Sequence, residues 1–186
     1  MPTGYLSNPL IFLVNTLVGA YVFVLILRLL LQYSGADSRN PISAFIIKVT
    51  QIPLKALRPI FPTVKGVNLA AIVLMLVLQM LIGFAMLSGL PGGNIWAIFI
   101  WSVAELIVNV INVFTYSIFI MVILSWINPG AHNPIIDLLY KITEPVLKPC
   151  QRYIPLIGGL DLSPMAALLG LQILKMLILP PLHSLM

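Results

Sequence analysis

The sequence predicts an all-α membrane protein: four transmembrane helices in two parallel tandem repeats, each with a cytoplasmic interfacial amphipathic helix between its two spans. Three observations predict it. Hydrophobic residues make up 60% of the 186 and charged ones only 8%, whereas a soluble domain carries roughly 25% charged residues. Four apolar runs, Leu10 to Leu31, Leu69 to Leu87, Ile95 to Ile127 and Leu162 to Leu179, reach the roughly 20 residues that a helix needs to cross about 30 Å of hydrocarbon. Finally, an ungapped shift of 93 residues superposes the two halves of the chain.

The first run is longer than the apolar core of a signal peptide and nothing before it is basic, so it is expected to stay as a span. The repeat rests on polar and helix-breaking residues, which shared hydrophobicity cannot align. Asn40-Pro41-Ile42 falls on Asn133-Pro134-Ile135, Lys48 on Lys141, Thr50 on Thr143, Leu54-Lys55 on Leu147-Lys148, Pro62 on Pro155, Gly66 on Gly159, Asn68 on Asp161 and Gln79 on Gln172. The copies are residues 1–88 and 95–186, joined by an uncharged Gly- and Pro-rich hinge at 89–94. Each copy holds an even number of spans, so both enter the membrane in the same direction and their pseudo-two-fold axis runs along the membrane normal.

Lys and Arg in short loops are retained on the cytoplasmic side. Arg39, Lys48, Lys55, Arg58 and Lys65 lie between the first two spans, and Lys141, Lys148 and Arg152 between the last two. Both large loops are therefore expected to be cytoplasmic and both termini on the opposite side. Arg28, near the cytoplasmic end of the first span, reads as an anchor whose stem snorkels to the headgroups. Tyr5, Trp96 and Trp101 at one side and Tyr33, Trp126, Tyr140 and Tyr153 at the other fit interfacial belts.

Inside each large loop, Asn40-Pro41 and Asn133-Pro134 start a helix, because Asn is a good N-cap and Pro suits the first helical position. Apolar residues follow at Ile42, Phe45, Ile46 and Val49, and at Ile135, Leu138, Leu139 and Ile142, the spacing of an amphipathic helix. Lys48 and Thr50, or Asp137, Lys141 and Glu144, take the other side, and the helix is expected to lie in the interface with its apolar stripe down. Prolines are expected to stop it: Pro53, Pro59 and Pro62 in the first copy, Pro145, Pro149 and Pro155 in the second. A basic, proline-stiffened loop then returns to the membrane at Gly66 and Asn68, or Gly159 and Asp161, where Gly permits a turn and the Asn or Asp caps the next span.

Polar residues also fall within the spans. Glu105, Asn109 and Asn112 share one face of the third span, with Tyr116 a further turn along. Ionisable groups in a bilayer cost about 2.5–3.5 kcal/mol on insertion scales and usually pair or line a wet cavity. Lys175 on the fourth span is the natural partner of Glu105. Gln79 and Gln172, with Asn15, are expected to hydrogen-bond across the bundle.

A single cysteine, Cys150, and two histidines, His132 and His183, offer neither an intrachain disulfide nor a metal set, and no cofactor is implied. The net charge of +5 is read as topology bias and contact with anionic lipid headgroups, with no nucleic-acid partner. Hydrolase and nucleotide-binding motifs of the H-E-x-x-H, G-x-S-x-G and P-loop types are absent, so an enzyme is not expected.

The doubled pattern of Asn-Pro, Lys-Val-Thr or Lys-Ile-Thr, a basic proline-rich stretch and Gly-x-Asp/Asn-Leu resembles the YggT family of bacterial inner-membrane proteins, whose relatives occur in cyanobacteria and plastids. The resemblance covers nearly the whole chain and is most specific from Lys148 to Pro164. The first copy departs from it, with Asn68-Leu69-Ala70-Ala71 where the second has Asp161-Leu162-Ser163-Pro164. The resemblance implies a multi-pass protein without a catalytic motif. Its members are associated with osmotic or ionic stress tolerance, with organisation of division or nucleoids and, in plastids, with assembly of a membrane cytochrome. Two functions compete. One is a non-enzymatic scaffold or assembly factor presenting Lys48, Lys55, Arg58, Lys141, Lys148 and Arg152 to lipid and to a membrane-protein partner or a second copy. The other is an oligomeric ion channel or transporter, for example for potassium, using Glu105, Asn109, Asn112 and Lys175.

Overall fold

The computed structural model describes residues 7–64, 66–87, 94–127, 133–154 and 161–185. It contains six helices, α1 (Ser7–Tyr33), α2 (Pro41–Leu57), α3 (Leu69–Leu87), α4 (Ile95–Ile127), α5 (Pro134–Tyr153) and α6 (Ser163–His183). Four of these, α1, α3, α4 and α6, are long and apolar enough to cross a membrane. Their apolar surface runs all round each helix, as bilayer-embedded helices require. The hinge at 89–93, Lys65, His132, Pro155 and Gly159 lie outside the described residues, as does Tyr5.

α4 is the axis of the molecule: it packs against α3, α6, α5 and α1, whereas the main neighbours of α6 are α4 and α5. Two buried clusters result. One joins Val22, Leu25 and Ile26 of α1 with Ile46 and Leu54 of α2, Ala70, Ala71 and Met75 of α3, and Val113, Leu138 and Ile142 from the second half. The other joins Ile111, Ile118 and Met121 of α4 with Leu147 of α5 and Ala167 and Leu171 of α6. Leu25 and Ile118, related by the repeat offset, are both fully buried. The 33 residues of α4 extend about 50 Å at 1.5 Å per residue, well beyond the hydrocarbon layer.

Three of the prolines do not end the loop helices, whereas α2 does stop at Leu57, two residues before Pro59. Pro53 lies inside α2, and Pro145 and Pro149 inside α5. Each removes one intrahelical hydrogen bond, but Pro145 and Pro149 are four residues apart on an exposed side, while Thr143 and Leu147 hold the other side in the core. The freed carbonyls therefore open toward the surface. α6 likewise runs through Pro180 and Pro181 to His183. After α2 the first copy forms a short antiparallel strand pair, Thr63–Val64 (β1) with Val67–Asn68 (β2). Gly66 has φ of 82° in its turn, the left-handed region that glycine enters without strain.

Candidate functional site

The loop helices are placed by their caps. The Asn40 side chain accepts from the Ile42 amide at 2.9 Å, and that of Asn133 from the Ile135 and Ile136 amides at 2.8 and 3.0 Å, with Pro41 and Pro134 at the first helical positions. The Asn40 amide also donates to the Pro134 carbonyl at 2.8 Å, tying the starts of α2 and α5 together across the repeats. An open groove of about 740 Å³ lies along this junction, lined by Asp37, Arg39, Asn40, Asp137, Lys141 and Glu144 among others.

α2 has three faces. Ser43, Ile46, Thr50 and Leu54 are buried against the bundle. Lys48, Gln51 and Lys55 form an exposed polar flank, and Phe45, Val49 and Ile52 an exposed apolar one available to lipid. Thr50 is therefore not on the polar side that simple periodicity assigned it: it is fully buried. The reason is Arg28, which does not snorkel but is itself only 7% exposed. Its Nη1 donates to the Ile47 carbonyl at 3.1 Å and to the Thr50 hydroxyl, which in turn donates to the Ile46 carbonyl at 2.6 Å. The second copy repeats this geometry with different chemistry. Met121 stands at the position of Arg28, and the Thr143 hydroxyl lies 3.5 Å from its Sδ while donating to the Leu139 carbonyl at 2.8 Å.

At the start of the fourth span Asp161 accepts from the Ser163 amide at 2.8 Å and from the Gln151 side chain at 3.1 Å. Its pKa is held below the usual carboxylate range, first by the nearby Ser163 hydroxyl, against the upward push of burial, with the Ser163 amide and Gln151 adding to the depression. That hydroxyl satisfies no strict hydrogen-bond geometry, so the amide and Gln151 are the directional contacts. Because the folded pKa is lowered, the tether contributes stability above the unfolded pKa and loses it as pH falls through the folded one. Asp161→Asn is expected to lower the thermal midpoint at pH 7 and to match the parent at acidic pH; a pH series in detergent checks this. The equivalent Asn68 is 1% exposed and accepts from the Ala71 amide at 3.3 Å.

The intramembrane polar residues are not brought together as the sequence suggested. Among the described residues the ion pair present is Lys148 with Glu144 at 3.3 Å on exposed α5, and Glu105 and Lys175 form none. The cause is rotational. Ile107, Ile111 and Ile118 carry the α6-facing side of α4, and at 100° per residue Glu105, Asn109 and Asn112 stand roughly 100–180° away from it. They share instead the side of Ile98 and Trp101, which abut Gly83 on α3, and all three are half-buried. Gln79 is buried but Gln172 is exposed, and no hydrogen bond links these two or Asn15, whose Oδ1 is buried without a partner. Lys48, Lys55, Arg58, Lys141, Lys148 and Arg152 are all exposed at the α2/α5 end. Among the described residues no group of three His, Cys, Asp or Glu side chains is placed to hold a metal.

Sequence reasoning read Arg28 as a snorkelling anchor and missed its contact with α2. The signal was present: under the offset of 93 Arg28 is a charged residue in a span whose counterpart, Met121, is apolar.

The profile of the CCB3/YggT family matches the chain in two segments, residues 7–88 and 100–182. The chain is 38% identical over 177 residues to an uncharacterized protein of Pseudomonas aeruginosa, covering 94% of this chain and 90% of that one. It is 31% identical over 172 residues to the uncharacterized protein YggT of Escherichia coli, with 91% and 88% covered. A segment of 90 residues is 34% identical to YlmG homolog protein 2, chloroplastic, of Arabidopsis thaliana, covering 48% of this chain and 34% of that protein. No solved structure matches.

Proposed function

The chain belongs to the CCB3/YggT family, and from that premise we propose that it is a non-enzymatic scaffold or assembly factor of the bacterial inner membrane, linked to envelope or osmotic stress tolerance. In this reading α2 and α5 lie on the cytoplasmic side and both termini on the periplasmic side, following the basic residues. One observation carries it. The three cavities described, along α2 and α5, between α1 and α2, and between α4 and α6, all open at the same end of the bundle, where the six exposed basic residues also lie. Among the described residues, charge and concavity thus meet at one end of the bundle, which in this reading is a headgroup surface. Anionic lipid and a membrane-protein partner or second copy are the ligands this surface suits.

A second copy has separate support. α3 buries Gln79 against its neighbours, whereas the equivalent face of α6 leaves Gln172 and Met176 exposed. An amide facing lipid is costly, and another helix relieves that cost.

The alternative, an oligomeric ion channel or transporter, draws on Glu105, Asn109 and Asn112, half-buried within a span without an ion pair. Two measurements separate the readings. The scaffold predicts that potassium flux into liposomes holding the purified protein equals that of empty liposomes. It also predicts that a strain lacking the protein regains osmotic tolerance with Glu105→Gln but not when Lys48, Lys55, Lys141 and Lys148 are all changed to Glu. Parent flux that Glu105→Gln abolishes would replace the scaffold with a transporter.

A further inference from the structure

Between α1 and α2 lies a cavity of about 390 Å³ whose lining includes Arg28, Gln32, Ser38, Ser43, Ile46 and Arg58. Two arginines line it, and among the described residues neither has a carboxylate partner. A buried charge is expensive unless paired, and Arg28 is 7% exposed. Its hydrogen bonds to Ile47 and Thr50 use Nη1 out of five donors in the guanidinium fork. Those acceptors are neutral, so the positive charge itself stays uncompensated. Ser43, on the cavity wall and 3% exposed, has a buried hydroxyl with no hydrogen-bond partner. A cationic fork, a second cation and an orphan hydroxyl around one space suit an anion.

We propose that this cavity binds a phosphate oxyanion, with Arg28 and Arg58 supplying the charge-assisted donors and Ser43 a neutral one. Arginine suits this task because its planar fork matches two phosphate oxygens at once. The depth fits a lipid: Arg28 lies five residues before the end of α1, about 7.5 Å along the helix, at the boundary of the headgroup layer. A free phosphate ion presents the same oxygens, so chemistry alone leaves two sources. This inference does not depend on the scaffold reading, since a transporter would hold the same anion.

The molecule carries its own control. The repeat-related cavity shares the equivalent positions Met121, Ser125, Tyr140 and Gln151 and adds Asp161. Met and Gln thus replace both arginines, Ile136 replaces Ser43, and a carboxylate joins the wall. That cavity repels what the first attracts.

The test is thermal unfolding of the purified protein in neutral detergent, titrated with dihexanoyl phosphatidylglycerol, dihexanoyl phosphatidylcholine or inorganic phosphate. Phosphatidylglycerol at about 100 times its dissociation constant is expected to raise Tm by about 5–10 °C, with little response to phosphatidylcholine. Arg28→Met and Arg58→Gln, which copy the second repeat, are expected to lose the response. Arg58 is exposed, so its variant folds even if Arg28→Met does not. A rise with inorganic phosphate alone, lost in Arg58→Gln, supports the site and makes the ligand the free anion. No rise in the parent with either phosphate source, or an equal rise in Arg58→Gln, overturns the proposal.

Discussion

Thr50→Val is expected to destabilise the protein by about 2–3 kcal/mol, and the repeat-related Thr143→Val by less than about 1 kcal/mol. Both threonines are fully buried and both bond a carbonyl of their own helix. What differs is the partner across the packing gap. The Thr50 oxygen accepts from the guanidinium of Arg28, and removing it strips a buried cation of one of its two acceptors. Hydrogen bonds to charged groups contribute about 1.5–3 kcal/mol. Thr143 meets a thioether, Met121 Sδ, at 3.5 Å, a weak acceptor whose loss matters little. Unfolding free energies of both variants in mixed micelles measure the difference. A double variant Arg28→Met with Thr50→Val isolates the coupling: with no charge left to strand, the threonine's loss should shrink to the Thr143 level. Equal costs at the two sites would mean that the Arg28 contact carries no net energy.

Gly83→Leu is expected to cost about 3 kcal/mol, at the upper end of ordinary overpacking. A Cβ at Gly83 would stand 2.9 Å from Trp101 Cε3, closer than real Cβ atoms come, and 3.2 Å from Ile98 Cγ2, a tight contact, so the Trp101 ring or the α3–α4 seam must shift, and the larger leucine forces it further. Even Gly83→Ala should destabilise despite alanine's better helix propensity of about 1 kcal/mol. Gly170→Ala, with nothing within 4 Å of the new Cβ, should be neutral or stabilising. Trp101→Ala in the Gly83→Leu background frees the space and should recover most of the loss. Steric trapping or detergent unfolding of the four variants tests the set. Because this seam joins the first repeat to the second, Gly83→Leu should also weaken the protease resistance of both halves.

Much of this architecture is legible in the sequence because bilayer crossing imposes a length and a polarity that few other demands produce. The four apolar runs correspond to α1, α3, α4 and α6 within a few residues. Less legible were the features set by rotation about a helix axis. Whether Glu105 meets Lys175 depends on which side of α4 receives α6, and the polar stripe of α4 does not say which neighbour it turns toward. Thr50 looked polar-facing because Ile42, Phe45, Ile46 and Val49 were read as one apolar stripe turned down into the interface. Ile46 faces the bundle while Phe45 and Val49 stay exposed, since α2 serves both the bundle and its surroundings. The prolines of α2 and α5 misled for a related reason. Proline signals a broken hydrogen bond, but tertiary burial of the opposite side outweighs it when the bond lost is at the surface. The pairing of Arg28 with Thr50 was accessible only by reading the two repeats against each other and asking where they differ.

The length of α4 sets a dimension for the surroundings as well as for the chain. Trp96 and Trp126, both exposed, lie 30 residues apart on it, about 45 Å, close to the full thickness of a bilayer with its headgroups. Lateral tension thins a bilayer, and a rigid span then answers the mismatch by tilting. α5 and α6 rest on α4, and α5 is tied to α2 through Asn40 and Pro134, so the span whose length must match the bilayer is also the one that carries most of the bundle's packing.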